Sequence, residues 1–292
     1  MTDRLLRLVS TDTPSVPVGV GRVVVGLAGC LEVLSTITSS RLDKVLRAGV
    51  LEAPRWEALP RLSQDGGRLF VVAWLVCLAL FTIGWRTRVT GGVAFVATDY
   101  YLAMDQQLYA NHVYLLSVLL LLFVLADAGA AVSVDAARGR GHPSVPPWPV
   151  FLLQAQVAVV YGFATFSKLN GDWFSGRVLE VNLLRIGPFD LPSVLERQGV
   201  YVACAVATVL IEGFLTFALY VRRLQPVAVA VGVAFHLSIV LTVDRWSPYA
   251  AIGFTVFGLE MVALYVVCVG VPEQWVAAVR RVTWVRSSVA PA

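Results

Sequence analysis

The chain has 292 residues, 58% of them apolar and only 14% charged, with 23 basic against 19 acidic side chains and a mean hydropathy of +0.74. That composition excludes a soluble single-core domain and marks an all-α fold: a polytopic integral membrane helix bundle. The net charge of +4 is what basic loops that orient a membrane protein leave behind, so a lipid bilayer is the expected partner and nucleic acid is not.

A helix crosses a bilayer with about 20 largely apolar residues. In chain order the windows that meet this are 17–36, 69–87, 89–104, 108–127, 149–168, 199–221, 226–243 and 249–269. About eight transmembrane helices are therefore expected, the third being short and carrying Asp99. The residues before the first window are polar and no small-residue cleavage site follows, so no cleavable signal peptide is expected. Leu27-Ala28-Gly29-Cys30 has the form of a lipoprotein processing box, but the apolar stretch before it is too short. Arg41–Trp56 carries Leu42, Val45, Leu46 and Val50 at helical spacing among basic residues and predicts an interfacial helix. Gly139–Trp148, rich in Gly and Pro, reads as a loop between two halves. Trp275, Val279 and Val282 opposite Arg280, Arg281 and Arg286 predict a second surface helix. The whole chain, 1–292, reads as one domain.

The four cysteines, Cys30, Cys77, Cys204 and Cys268, fall in the spans and suggest neither a disulfide framework nor a CxxC site. The basic residues of the short connections (Arg86, Arg88, Arg138, Arg140, Arg222, Arg223) fall on the same side as the tail residues Arg4, Arg7, Arg280, Arg281 and Arg286. Both termini are therefore expected in the cytoplasm, with the protein in the plasma membrane.

Ionisable groups at membrane depth are costly and mark function by default. Here they are Arg22, Glu32, Asp99, His112, Glu212, His236 and Glu260, with Lys168 at a span end. Mutual pairing inside the bundle, for instance Arg22 with an acid, is the simpler alternative. Only two of the basic residues are lysines, Lys44 and Lys168. Where charge alone is needed the chain uses arginine, which keeps its proton, whereas a lysine in dry surroundings can lose it. Lys168 could equally lay its methylenes on apolar surface and place its head at the interface. However, Gln154, Tyr161 and Lys168 recur every seven residues and form one polar stripe, which must face protein or a cavity rather than acyl chains. His112 opens one span and His236 sits within another. No HxxxH or HxxE spacing accompanies them, so no metal site is expected.

The stretch Tyr161–Gly176, YGFATFSKLNGDWFSG, resembles the vitamin K-dependent gamma-carboxylase family and its bacterial relatives, the horizontally transferred transmembrane (HTTM) domain proteins. The similar features are an aromatic-rich helix, Lys-Leu, a polar turn, Asp-Trp and a small-residue turn. Further similarities follow in order: Arg22 in the first span, Gly84-Trp85-Arg86-Thr87-Arg88 after the second, Asn111-His112 with Tyr114 opening the fourth, Glu212 in the sixth and Phe235-His236 in the seventh.

The resemblance implies that Lys168 matches the base that deprotonates vitamin K hydroquinone. Oxygen addition then yields a strong base that removes a glutamate gamma-proton, and the carbanion takes up carbon dioxide. It also implies that His112 stands near the same centre. Tyr161, Gln154, Trp173 and His236 are the residues expected to bind a reduced quinone. Lys168, His112 and Tyr161 are expected to converge on one cavity that opens to the extracytoplasmic side or the outer leaflet. With the last span close to Ala292, the carboxylase's soluble substrate-gripping domain is not expected. The alternative is therefore a non-enzymatic membrane factor of the sporulation-delaying protein B type, which helps mature or export a secreted peptide.

Overall fold

The computed structural model describes residues 13–47, 56, 59–186, 198–243 and 248–270. The protein is an all-α membrane helix bundle. Its long helices are α1 (Ser15–Thr38), α3 (Gln64–Ile83), α4 (Thr87–Met104), α5 (Asn111–Leu125), α6 (Pro147–Ser167), α9 (Gln198–Ala218), α10 (Gln225–Val243) and α11 (Pro248–Val269); the short ones are α2 (Arg41–Leu46), α7 (Gly171–Phe174) and α8 (Arg177–Ile186). Each of the eight apolar windows is thus a helix. Six, namely α1, α3, α6, α9, α10 and α11, are long and apolar enough to cross a membrane. Among the others, α5 has 15 residues and α4 carries Arg88 and Asp99 within its 18. The Asp99 carboxylate lies on an exposed face and accepts a hydrogen bond from Ser117 Oγ at 2.5 Å.

The chain divides into two compact units, one running to Leu153 (with the chain from Gly270 on) and the other spanning Gln154–Val269. In the first unit α1 packs against α3 and α5, and α4 against α3 and α5. Trp74, Leu78 and Phe81 of α3, Tyr101 of α4 and Leu116, Leu119 and Leu120 of α5 form its core. Trp74 fits between helices because its own buried indole N–H is paired, donating to Thr98 Oγ1 at 3.2 Å. In the second unit α10 packs on α11 and α9, and the short α7 and α8 fold against α9.

Several turns are fixed by local chemistry. Ser63 caps α3, its Oγ accepting from Gly66 N at 3.1 Å, and Gly84 ends that helix with φ +76°, a left-handed geometry that glycine adopts without a Cβ penalty. The next helix, α4, has no cap from its own N-cap residue. Asp135 caps it from a distance, accepting from Arg86 N at 3.0 Å, Thr87 N at 2.8 Å and Thr87 Oγ1 at 3.0 Å.

The Gly- and Pro-rich connection is not a free loop. Ser144–Val145 pairs antiparallel with Thr13–Pro14, and Ser15 N donates to Pro143 O at 3.0 Å. Within Arg41–Trp56 only Arg41–Leu46 is helical among the described residues; Leu42, Val45 and Leu46 are buried, next to α3. The apolar face expected to meet lipid therefore meets protein, because α3 begins with Gly67, where a Cβ would stand 2.5 Å from Leu46 Cδ1. Val50, the tail arginines and the surface helix expected around Trp275 lie outside the described residues, and the cysteines that are described are all free thiols.

Candidate functional site

Lys168 follows the last residue of α6, where Asn170 turns the chain and caps α7, its Oδ1 accepting from Trp173 N at 2.9 Å. Gly176 closes that turn with φ +76°, and a Cβ there would stand 2.8 Å from Val202 N, so the close approach to α9 depends on glycine. The result is a fixed indole: Trp173 Nε1 donates to Ala205 O at 3.0 Å, and the ring covers Lys168 Nζ at 5.2 Å from its centroid, within cation–π range. Lys168 Nζ also donates to Ala164 O at 3.1 Å and to Glu212 Oε1 of α9 at 2.9 Å. The lysine side chain is 19% exposed and the glutamate 7%. The amine is thus held, part-buried, in an ion pair with a buried carboxylate rather than laid out toward the interface.

The polar stripe of α6 faces protein along its length. Gln154 Nε2 donates to Val267 O at 3.3 Å, and Tyr220 Oη donates to Gln154 O at 2.6 Å. One turn before Lys168, Thr165 Oγ1 donates to Tyr161 O at 2.8 Å. Tyr161 Oη lies 2.8 Å from His236 Nε2 and shares a short hydrogen bond with Tyr265 Oη. All three rings are buried, and the imidazole is wedged between Phe235 and Phe257. Tyr161 is also within electrostatic reach of Glu212. The second unit therefore holds Lys168 with Trp173 and Glu212, and Tyr161 with His236 and Tyr265. Glu212 was legible as an acid at membrane depth but not as this lysine's partner. Tyr265 gave no signal in a helix of apolar residues.

His112 belongs to the first unit. It sits in the first turn of α5, with Nε2 3.1 Å from Glu32 Oε2 of α1; the glutamate side chain is 4% exposed. Tyr101 lies beside the same carboxylate, near Thr36 and Arg41.

Arg22 departs from the expected acid pairing. It is fully buried and donates to carbonyls: Nη1 to Ala128 O at 3.1 Å, Nη2 to Thr82 O at 3.3 Å and to Val132 O at 2.5 Å. The reason is geometric. The end of α3 and the turn after α5 leave carbonyls without helical partners, and a planar guanidinium satisfies several at once. Around it Asp127 binds Arg88 at 3.1 Å and His142 at 2.7 Å, and Asp135 lies 3.9 Å from Arg140. Burial by itself would push the Asp135 carboxyl up. The donors Thr87 N, Arg86 N and Thr87 Oγ1, with Arg140, outweigh it and hold the group below the usual carboxylate range. Arg22 and the Gly84–Arg88 turn are thus framework, knitting helix ends together. No group of His, Cys, Asp and Glu among the described residues could hold a metal ion.

Residues 11–258 match the HTTM domain. The chain belongs to the HTTM domain family. The match crosses both compact units and takes in the Arg22 framework, the Glu32–His112 pair, the Lys168 site and His236. With its apolar helices, this makes the chain a multi-pass membrane protein of that family. No solved structure matches it.

Proposed function

We propose that this HTTM protein is a membrane-embedded acid–base enzyme that acts on a reduced quinone or a similar lipid-soluble acidic O–H compound, with Lys168 as the base. The observation that carries the reading is the Lys168–Glu212 pair, part-buried at the amine and buried at the carboxylate, beside the Trp173 ring. An ammonium and a carboxylate at 2.9 Å in a dry site can exchange one proton along the hydrogen bond. The transfer turns two desolvated charges into an amine and a carboxylic acid, removing much of the cost of burying them. The neutral amine so formed is a general base within a few ångströms of any group that reaches the pair.

The residues fit a reduced quinone in kind. Glu212 Oε2 is buried with no hydrogen-bond partner among the described residues, and Trp173 offers an aromatic wall. Such a cofactor supplies an acidic O–H and, once deprotonated, an electron-rich ring that reacts with dioxygen. Lys168 would take the proton, Trp173 would exclude water from the amine, and Tyr161 with His236 would hold the neighbouring helices in register. Gln154 ties α6 to α11 and supports the site at one remove. His112 with Glu32 gives the first unit an acid–base couple of its own, to which we assign proton handling. We place the protein in the plasma membrane with both termini cytoplasmic.

The test is quinol consumption by the protein in nanodiscs. Lys168→Arg keeps the charge but cannot serve as base and is expected to abolish turnover. Lys168→Ala is expected to be rescued by small primary amines in proportion to their basicity. Undiminished turnover in Lys168→Arg overturns the base assignment. If, in addition, a small peptide co-purifies, the protein is the peptide-maturation factor instead.

A further inference from the structure

The two oxygens of the Glu212 carboxylate have different fates. Oε1 accepts from Lys168 Nζ, whereas Oε2 is buried and accepts from nothing among the described residues. A buried acceptor left unmade costs about 1–3 kcal/mol, more when it is charged, and native structures rarely tolerate one without a use. Lys168 Nζ spends two of its three N–H groups on Ala164 O and Glu212 Oε1 and makes no hydrogen bond to Oε2, and the other local donors are committed. Thr165 Oγ1 donates to Tyr161 O, and Thr216 Oγ1 to the backbone oxygen of Glu212 itself, at 2.9 Å. Tyr161 Oη is engaged by His236 and Tyr265. Trp173 Nε1 is spent on Ala205 O. Among the described residues none donates to Oε2, which leaves it free to accept from a bound molecule.

The surroundings say what kind of molecule brings it. α6 and α9, which carry the pair, are mostly unenclosed by protein: in their most apolar windows 22% and 33% of residues are buried. Phe163, Phe166 and Phe217 on the same stretches are exposed, which in a membrane protein means exposed to acyl chains. A molecule arriving there must be uncharged and largely apolar, with one hydroxyl or N–H to offer.

We infer that Glu212 Oε2 is the anchor for a hydrogen-bond donor of an uncharged, lipid-soluble ligand, and that one carboxylate thereby bridges the ligand hydroxyl and the Lys168 amine. This rests on the proposed function and adds a residue to it. Glu212 selects a ligand by its O–H before Lys168 does any chemistry. A ligand that can only accept hydrogen bonds is rejected, because two acceptors would face each other.

Binding of 4-hexylphenol and of its methyl ether 4-hexylanisole is compared by calorimetry on the full-length protein in nanodiscs, with empty nanodiscs subtracted. The two probes differ by the donor and by one methyl group, whose apolar transfer favours the ether and so works against the expected preference. Wild type is expected to favour the phenol by about tenfold, the scale of one hydrogen bond to a charged group. Glu212→Gln keeps an oxygen for Lys168 and turns an amide N–H₂ toward the ligand, so the preference is expected to vanish or reverse toward the ether. A merely structural role would weaken both probes alike. Lys168→Arg is expected to keep the preference even where turnover is lost, which separates failure of this inference from failure of the base assignment. Equal binding of the two probes to wild type overturns the inference without recourse to any variant. So does a phenol preference that survives in folded Glu212→Gln, which would leave Oε2 to solvent.

Discussion

Replacing Arg22 by methionine removes the guanidinium while keeping a shorter, unbranched apolar side chain. Three carbonyls, those of Ala128, Thr82 and Val132, then lose their donor in a place fully closed to solvent. A hydrogen bond from a charged donor nets about 1.5–3 kcal/mol, so three at the low end come to about 5 kcal/mol. Two effects reduce this. The guanidinium no longer has to be desolvated, and carbonyls in a membrane-bound unfolded state find other partners. The expected net loss is about 2–4 kcal/mol. Arg22→Lys should fall about midway, because one ammonium cannot present the planar fork that reaches both helix ends. The assay is unfolding in mixed detergent–SDS micelles, followed by the maleimide reactivity of Cys30. That thiol lies 4.0 Å from Thr82 Oγ1 and reports opening at the α1–α3 contact. A loss below about 0.5 kcal/mol in Arg22→Met would refute the framework role assigned to the arginine.

Gly84→Ala puts a Cβ 2.4 Å from Arg22 Nη1 and 2.3 Å from Ser133 Cβ at φ +76°. It should cost about 1–2 kcal/mol from the left-handed backbone alone, and more because Arg22 must move; the same unfolding assay should find it milder in an Arg22→Met background. The Asp135 carboxyl titrates below its unfolded value when folded, so its stabilisation is present above the ordinary carboxylate pKa and is lost as pH falls through the folded one. The stability gap between wild type and Asp135→Asn should therefore narrow below about pH 4, and parallel pH profiles would contradict the cap. Lys168→Met orphans the buried Glu212 carboxylate and should cost about 2–4 kcal/mol; Glu212→Leu leaves the part-buried Lys168 amine unpaired and should cost less. The double variant should recover most of that loss in thermal unfolding, and simple additivity of the two single losses would show that the pair is not coupled.

Hydropathy and heptad spacing alone determined that the chain is a membrane helix bundle, placed the helices and picked out α6's polar stripe. These are local properties: each helix satisfies its own backbone in lipid, so its existence depends little on neighbours. The same reasoning put Lys168 among the functional residues through its rarity and its polar neighbours. Partnership is not local. Lys168 and Glu212 stand 44 residues apart and Tyr161 and Tyr265 stand 104 apart; nothing in either helix's own period names the other. Arg22 is the clearest case. Its charge suggested an acid, yet its partners are carbonyl oxygens that every residue carries and that only the folded helix ends leave free. Tertiary structure decided which buried charges are framework and which form a site, because a buried group's role is set by what remains unpaired around it.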